Sequence, residues 1–159
     1  MADTINPLDY KLAETRWFDD FEVGERFYIP SRTQTDALFS AFQLASGDNH
    51  PIHYDRHYCQ SIGHKDMLAH GYQVLIQCCI GAGILPQLMG ESLIGFIEQS
   101  SRFLKGVYAG DTLYPSVVIT DLKAQNTTGV MTVAITVHNQ DGALVLEGDQ
   151  KYLMKKRPG

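Results

Sequence analysis

The sequence predicts an α+β fold in which one antiparallel sheet wraps round a long central helix. Three observations carry that expectation. Residues 70–85 contain no Asp, Glu, Lys or Arg and, past the first turn, are strongly polar only at Gln73 and Gln77. A helix apolar on nearly every face must be buried on nearly every face, and this one would span about 24 Å. Next, Met131, Val133, Ile135 and Val137 alternate with Thr132, Ala134, Thr136 and His138, the period of a half-buried strand. Finally, Asp141-Gly142 is a hairpin signal, and beyond it Leu144, Leu146, Tyr152 and Met154 fall on one side of a second strand.

The remaining elements follow in chain order. Residues 1–14 are polar and read as a flexible arm. Residues 17–23 mix aromatic and acidic chains, as a segment packed on a sheet edge would. Residues 25–35 hold a short strand broken by Pro30. Thr35-Asp36 then opens a helix. Leu38, Phe39, Phe42 and Ala45 recur at helical spacing, so residues 36–45 present one apolar face, with Leu44 off it. Gly47 ends that helix. Residues 54–65 read as a short helix and a loop. The central helix starts near His70 and stops at Pro86. Residues 93–104 and 113–122 read as two further strands. The pattern implies one domain over residues 1–159, without repeats.

Bulk properties exclude several functions. A chain of 159 residues is long enough for a real core. Its net charge of −5 argues against general nucleic-acid binding. The apolar stretch is too short to span a bilayer, so no membrane association is expected. Cys59, Cys78 and Cys79 are odd in number, and two are adjacent in the predicted buried helix. That suits reduced thiols in the cytoplasm better than a disulfide framework. The first residues include acids and lack an apolar run, unlike a signal peptide.

The chemistry-bearing stretch is the turn Gly47-Asp48-Asn49-His50-Pro51-Ile52-His53. Asp48 and His53 are an acid and an imidazole on one short turn. Such a pair can take a proton from an attacking water and supply one to a neighbouring carbon. The bland alternative is that Asp48 caps the turn and His53 packs in it. His50, His53 and His57 raise the question of a metal, but Pro51 interrupts any helix that would align them, and no metal is expected. His64 and His70 read as loop and helix-start residues. Gly71 lies in the first turn of the predicted helix, where backbone N–H groups lack intrahelical partners. It reads either as a donor to a developing oxyanion or as a glycine kept for packing.

Ser46-Gly47-Asp48-Asn49-His50-Pro51-Ile52-His53, followed by Ala69-His70-Gly71, resembles the signature of the MaoC-like dehydratases, the R-specific enoyl-CoA hydratases. Their pattern is S-G-D, one variable residue, N-P-[I/L]-H, and then A-H-G. Residues 17–27, WFDDFEVGERF, and Gly110-Asp111-Thr112 extend the likeness. One position departs: His50 stands where the family has Asn, and Asn49 precedes it. The resemblance implies a hot-dog fold. One short sheet cannot hide a helix that is apolar nearly all round and also protect its own edges, so a homodimer or larger homo-oligomer is expected. The resemblance further implies an acyl-CoA thioester substrate, with CoA entering only as part of that substrate and no cofactor. It also implies Asp48 and His53 as catalytic residues, with the Gly71 N–H aimed at the thioester oxygen and His50 and Asn49 on the substrate side. The activity implied is addition of water to a 2-enoyl-CoA to give an R-3-hydroxyacyl-CoA, or the reverse. Some relatives carry at Cys79 a Ser that orients the Asp; a thiol would do so more weakly. Lys65, Arg102 and Lys105 are candidates to meet CoA phosphates, and Lys155-Lys156-Arg157 reads as a solubilising tail. Two other functions compete: a hot-dog acyl-CoA thioesterase, and a non-catalytic acyl-CoA-binding or assembly subunit.

Overall fold

Strand β1 (Arg26–Tyr28), the residue Pro30 and strand β2 (Arg32–Thr33) realise the broken strand expected there. The computed structural model describes residues 6–159, so residues 1–5 of the expected arm lie outside the described part. Within residues 6–14 the chain makes a short turn at Pro7–Asp9, and Lys11 pairs with Glu91 at 2.9 Å. Phe18 and Phe21 are buried, so the aromatic–acidic segment does pack against the sheet. Arg16 holds Glu25 through two N–H donors, at 2.8 and 2.7 Å.

Helix α1 (Asp36–Ser46) starts at Thr35, whose hydroxyl accepts the Leu38 N–H at 3.4 Å. It ends at Gly47 with φ +71°, a left-handed conformation that glycine adopts without a side-chain clash. Only Phe39 of its expected face is fully buried; Leu38 and Phe42 are half-buried, Ala45 is exposed, and Leu44 is 89% exposed. Helix α2 (Arg56–Ser61) is capped by Asp55, which accepts the Tyr58 N–H at 3.0 Å.

The central segment departs from expectation. It is not one helix but α3 (Gly71–Leu75), 3-10 turns at Ile76–Cys78 and Ile80–Ala82, and α4 (Leu85–Met89). The break falls at Cys79, whose ψ of 111° is extended. Side chains there occupy carbonyls that a continuing helix would need. Gln77 Nε2 donates to the Gln73 carbonyl at 3.0 Å, and Gln150 Nε2 to the Cys78 carbonyl at 3.4 Å. Gly81 and Gly83 lower the helical preference further. Pro86 does not stop the helix; it lies in the first turn of α4, where a missing N–H costs nothing. Burial is mixed as well: Gln73 and Gln77 are buried along with Val74, Cys78, Ile80 and Leu85, while Tyr72, Ile76, Cys79 and Ile84 are exposed.

The sheet is antiparallel. Its remaining strands are β3 (Leu93–Phe103), β4 (Thr112–Ala124), β5 (Thr128–His138) and β6 (Leu144–Lys155). The order is β1-β4-β5-β6-β3, with β2 also on β4. The alternation in β5 is realised fully: Met131, Val133, Ile135 and Val137 are all buried. Gly142, at φ +71°, turns the hairpin between β5 and β6. At Gly148 a Cβ would lie 2.0 Å from the Ser100 carbonyl oxygen, so the close approach of β3 to β6 requires glycine there. The central segment packs on β4 and β5. This is the hot-dog architecture, its central element segmented.

Candidate active site

The turn after α1 is folded back onto a second strip of backbone. Pro51–His53 forms a single 3-10 turn with Pro51 at its start, where a fixed φ fits and no N–H is wasted. The Leu68 N–H donates to the Ile52 carbonyl at 3.0 Å. Residues 67–69 pair in turn with residues 107–109: the Ala69 N–H donates to the Val107 carbonyl at 2.7 Å, and the Ala109 N–H to the Met67 carbonyl at 3.0 Å. These bonds bring the Asp48–His53 turn beside His70 and Gly71.

Asp48, His53 and His70 form one cluster, each offering a polar atom within 4.8 Å of the others. The direct partner of the acid is His70: Nε2 lies 2.9 Å from Asp48 Oδ2. The Tyr72 N–H donates to His70 Nδ1 at 3.0 Å. A nitrogen that accepts this bond carries no proton, so the neutral ring carries its proton on Nε2 and donates it to Asp48. His53 has the opposite tautomer. Its Nδ1 lies 2.7 Å from the Leu68 carbonyl, an acceptor only, so Nδ1 bears the proton and Nε2 keeps a lone pair. Asp48 Oδ1 accepts the His50 N–H at 3.1 Å. That backbone bond, then the nearby His53 and His70 rings, hold the Asp48 carboxyl below the usual carboxylate range. The arrangement is an ionised carboxylate in one cluster with an imidazole that keeps a lone pair, half open to solvent, and it can move protons.

The donor set also bears on metal binding. The cluster is not the His50, His53 and His57 group that raised the question in sequence, and its His70 presents a proton, not a lone pair, to the shared space. Metal coordination through His70 Nε2 would require breaking its bond to the Tyr72 N–H.

The other candidates are distributed as follows. The His50 ring is exposed; its Nδ1 accepts the Ile52 N–H at 3.3 Å, and it meets the His53 ring edge-on at 6.4 Å. Asn49 Oδ1 accepts from Gln43 Nε2 at 2.7 Å, which ties that side chain to α1. Gly71 opens α3, and a Cβ there would lie 3.2 Å from Phe103 Cζ. Both faces of the Gly71 question therefore have a structural basis. A five-residue helix supplies little dipole, so any oxyanion role rests on the N–H itself. Beside Gly71 lies a cavity of about 320 Å³ walled by Leu68, Val74, Phe103, Leu104 and Val107, with Lys105 at its margin. Among the described residues Lys105 has no carboxylate within ion-pair distance, whereas Arg102 pairs with Glu147 and Lys65 lies 3.8 Å from Asp111. Arg157 is no loose tail residue: it donates to both Asp20 carboxylate oxygens, at 2.9 and 2.7 Å. Cys79 sits exposed in the helix break, not two turns along a helix from Gly71. His50 and His70 orient Asp48 in its stead. Cys78 is fully buried, and burial pushes its thiol up to about 12. His70 is the residue that reading in sequence passed over. The available signal was a histidine directly before the glycine that opens a helix, where a side chain can reach the first free N–H groups.

Residues 20–141 match the family model described as MaoC like domain. The chain is 26% identical over 145 residues to the (R)-specific enoyl-CoA hydratase of Rhodospirillum rubrum, an alignment covering 89% of this chain and 93% of that one. It is 28% identical over 129 residues to the (R)-specific enoyl-CoA hydratase of Aeromonas caviae, covering 80% and 91%. Among solved structures, a monoamine oxidase regulatory protein from Archaeoglobus fulgius is similar with a TM-score of 0.84 at 27% identity, covering 94% of this chain and 100% of that one.

Proposed function

The chain belongs to the MaoC-like domain family, and from that premise we propose that it adds water to the double bond of a 2-enoyl-CoA to give an R-3-hydroxyacyl-CoA, or catalyses the reverse. The observation that carries this reading is that ionised Asp48 and His53, whose Nε2 keeps a lone pair, lie in one cluster. In hydration, the Asp48/His53 pair takes one proton from water as its oxygen bonds to C3. Electrons of the double bond move towards the thioester carbonyl, and the pair returns one proton to C2. The pair ends in the state in which it began, and its titration belongs to both groups together.

Charge builds on the thioester oxygen during that step. The Gly71 N–H, at the start of α3, is the proposed donor to it. The apolar cavity beside Gly71 receives the acyl thioester, with Lys105 near enough to its margin to meet an anionic part of the carrier. Hydration is redox-neutral and needs no electron carrier, so CoA enters only as part of the substrate. Cys59, Cys78 and Cys79 are all unpaired, which supports a reducing, cytoplasmic setting. No described helix is long and apolar enough to cross a membrane.

The test is a panel of 2-enoyl-CoA thioesters beginning with crotonyl-CoA, followed by loss of absorbance at the enoyl band and by chiral analysis of the product. Hydration to the R product is expected. Release of free CoA thiol instead would make the protein a thioesterase. Binding without either reaction would make it a non-catalytic subunit.

A further inference from the structure

His70 joins two parts of the site that the chain keeps separate. Its Nε2 is 2.9 Å from Asp48 Oδ2, and its Nδ1 accepts the Tyr72 N–H at 3.0 Å. It is the N-cap of α3 and immediately precedes Gly71. The ring is also held by packing. It stacks on Tyr72 at 5.7 Å between centroids, and lies 5.1 Å from both Phe42 of α1 and His53. Its side chain is 22% exposed, against 39% for Asp48, so the histidine is the more fixed partner of the two.

We propose that His70 is a positioning residue: a backbone-locked imidazole whose Nε2–H clamps the Asp48 carboxylate to the first turn of α3, setting the proton carrier in register with Gly71. The proposal rests on the hydratase reading for its effect on rate, but not for its geometry. Asp48 sits on a turn whose own backbone gives it only the His50 N–H, at Oδ1. Without His70 the second oxygen is unrestrained and the carboxylate can rotate out of line with a water. The Tyr72 bond matters because it forces the tautomer. A histidine free to place its proton on Nδ1 would present a lone pair to a carboxylate, and the contact would be repulsive.

Three variants separate clamping from capping. His70→Asn keeps a good N-cap for Tyr72 but is too short to reach Asp48. It should hold the melting temperature near that of the parent, leave KM within about twofold, and cut kcat ~10- to 100-fold, the range for a lost hydrogen bond to a charged group. His70→Gln, longer and still an N–H donor, should recover part of kcat. In an Asp48→Asn background, His70→Asn should cost nothing further, because it acts through the carboxylate. Independently of turnover, nitrogen NMR of the histidine rings should show His70 protonated on Nε2 at neutral pH, with its signal shifted by Asp48→Asn. An Nδ1-protonated ring, an unchanged kcat in His70→Asn, or additive losses in the double variant would each overturn the proposal. A wild type inert on every enoyl thioester but with the expected NMR signature would retire the hydratase reading and leave the clamp in place.

Discussion

His53 Nδ1 meets the carbonyl oxygen of Leu68 at 2.7 Å, across fifteen positions of chain. That one bond orients the ring, selects its tautomer and leaves Nε2 available as a base. Asp48 stands in the same cluster with a carboxyl held ionised. Asp48→Asn and His53→Ala should each leave a folded protein and each lower hydratase turnover ~100- to 10,000-fold, the usual contribution of a general acid or base. The double variant should be about as slow as the worse single one, since the two act on one water and one alkene. Steady-state rates with circular dichroism as the folding control check this; near-normal turnover in either single variant would remove that residue from the chemistry.

Gly71 faces Phe103, and the two proposed reasons for the glycine make different predictions. Gly71→Val keeps the N–H but puts a side chain in the way of the thioester oxygen, so it should cut turnover ~100-fold or more if that N–H serves the oxygen. It should also cost some stability, because a Cβ would already stand 3.2 Å from Phe103 Cζ. Adding Phe103→Ala should restore the melting temperature and leave turnover low. Recovery of turnover together with stability would mean that the glycine exists for packing alone.

The Asp48 carboxyl is depressed first by the His50 backbone N–H and then by the His53 and His70 rings. A depressed carboxylate contributes stability that is present above its unfolded value, about 4, and is lost as pH falls through the lower folded value. Comparing Asp48→Asn with wild type, the stability difference attributable to ionisation should therefore be largest near neutrality and shrink in acid. His50→Asn keeps the backbone N–H, so the acid limb of the rate profile should stay in place and activity should persist, with substrate preference free to shift. A rate profile displaced in folded His50→Asn protein, or abolished turnover, would give the His50 side chain a direct catalytic part.

Strand β3 lies at the edge of the sheet and exposes Ile94, Phe96, Ile97 and Phe103. An apolar unpaired edge invites another strand, and the central segment leaves Tyr72, Ile76 and Ile84 uncovered as well. A homodimer or larger assembly built on this side is expected at micromolar concentration. Light scattering should give at least twice the chain mass, and Ile97→Glu should shift the protein towards monomer. A monomeric wild type would show that these surfaces are tolerated in water.

By itself the sequence determined the local features. Thr35 and Gly47 bound α1, Gly142 turns the last hairpin, and the alternation from Met131 to Val137 assigns the inner face of β5. Each depends on neighbours a few positions apart, and such preferences are written in residue type and spacing. The Asp48 and His53 turn stood out only through its likeness to a family signature, because spacing alone left it equally readable as a capped turn. Tertiary structure alone decided the rest. The central helix breaks because Gln150, from β6, and Gln77 take its carbonyls, and no periodicity in residues 70–85 contains Gln150. Glutamines are buried there because they find partners: Gln73 donates to Gln34, and the Tyr152 hydroxyl to Gln150. His70 faces Asp48 because strip 67–69 pairs with 107–109, a contact between distant segments. A side chain's role in such a cluster depends on which nitrogen its backbone partner claims, and only the folded chain supplies that partner.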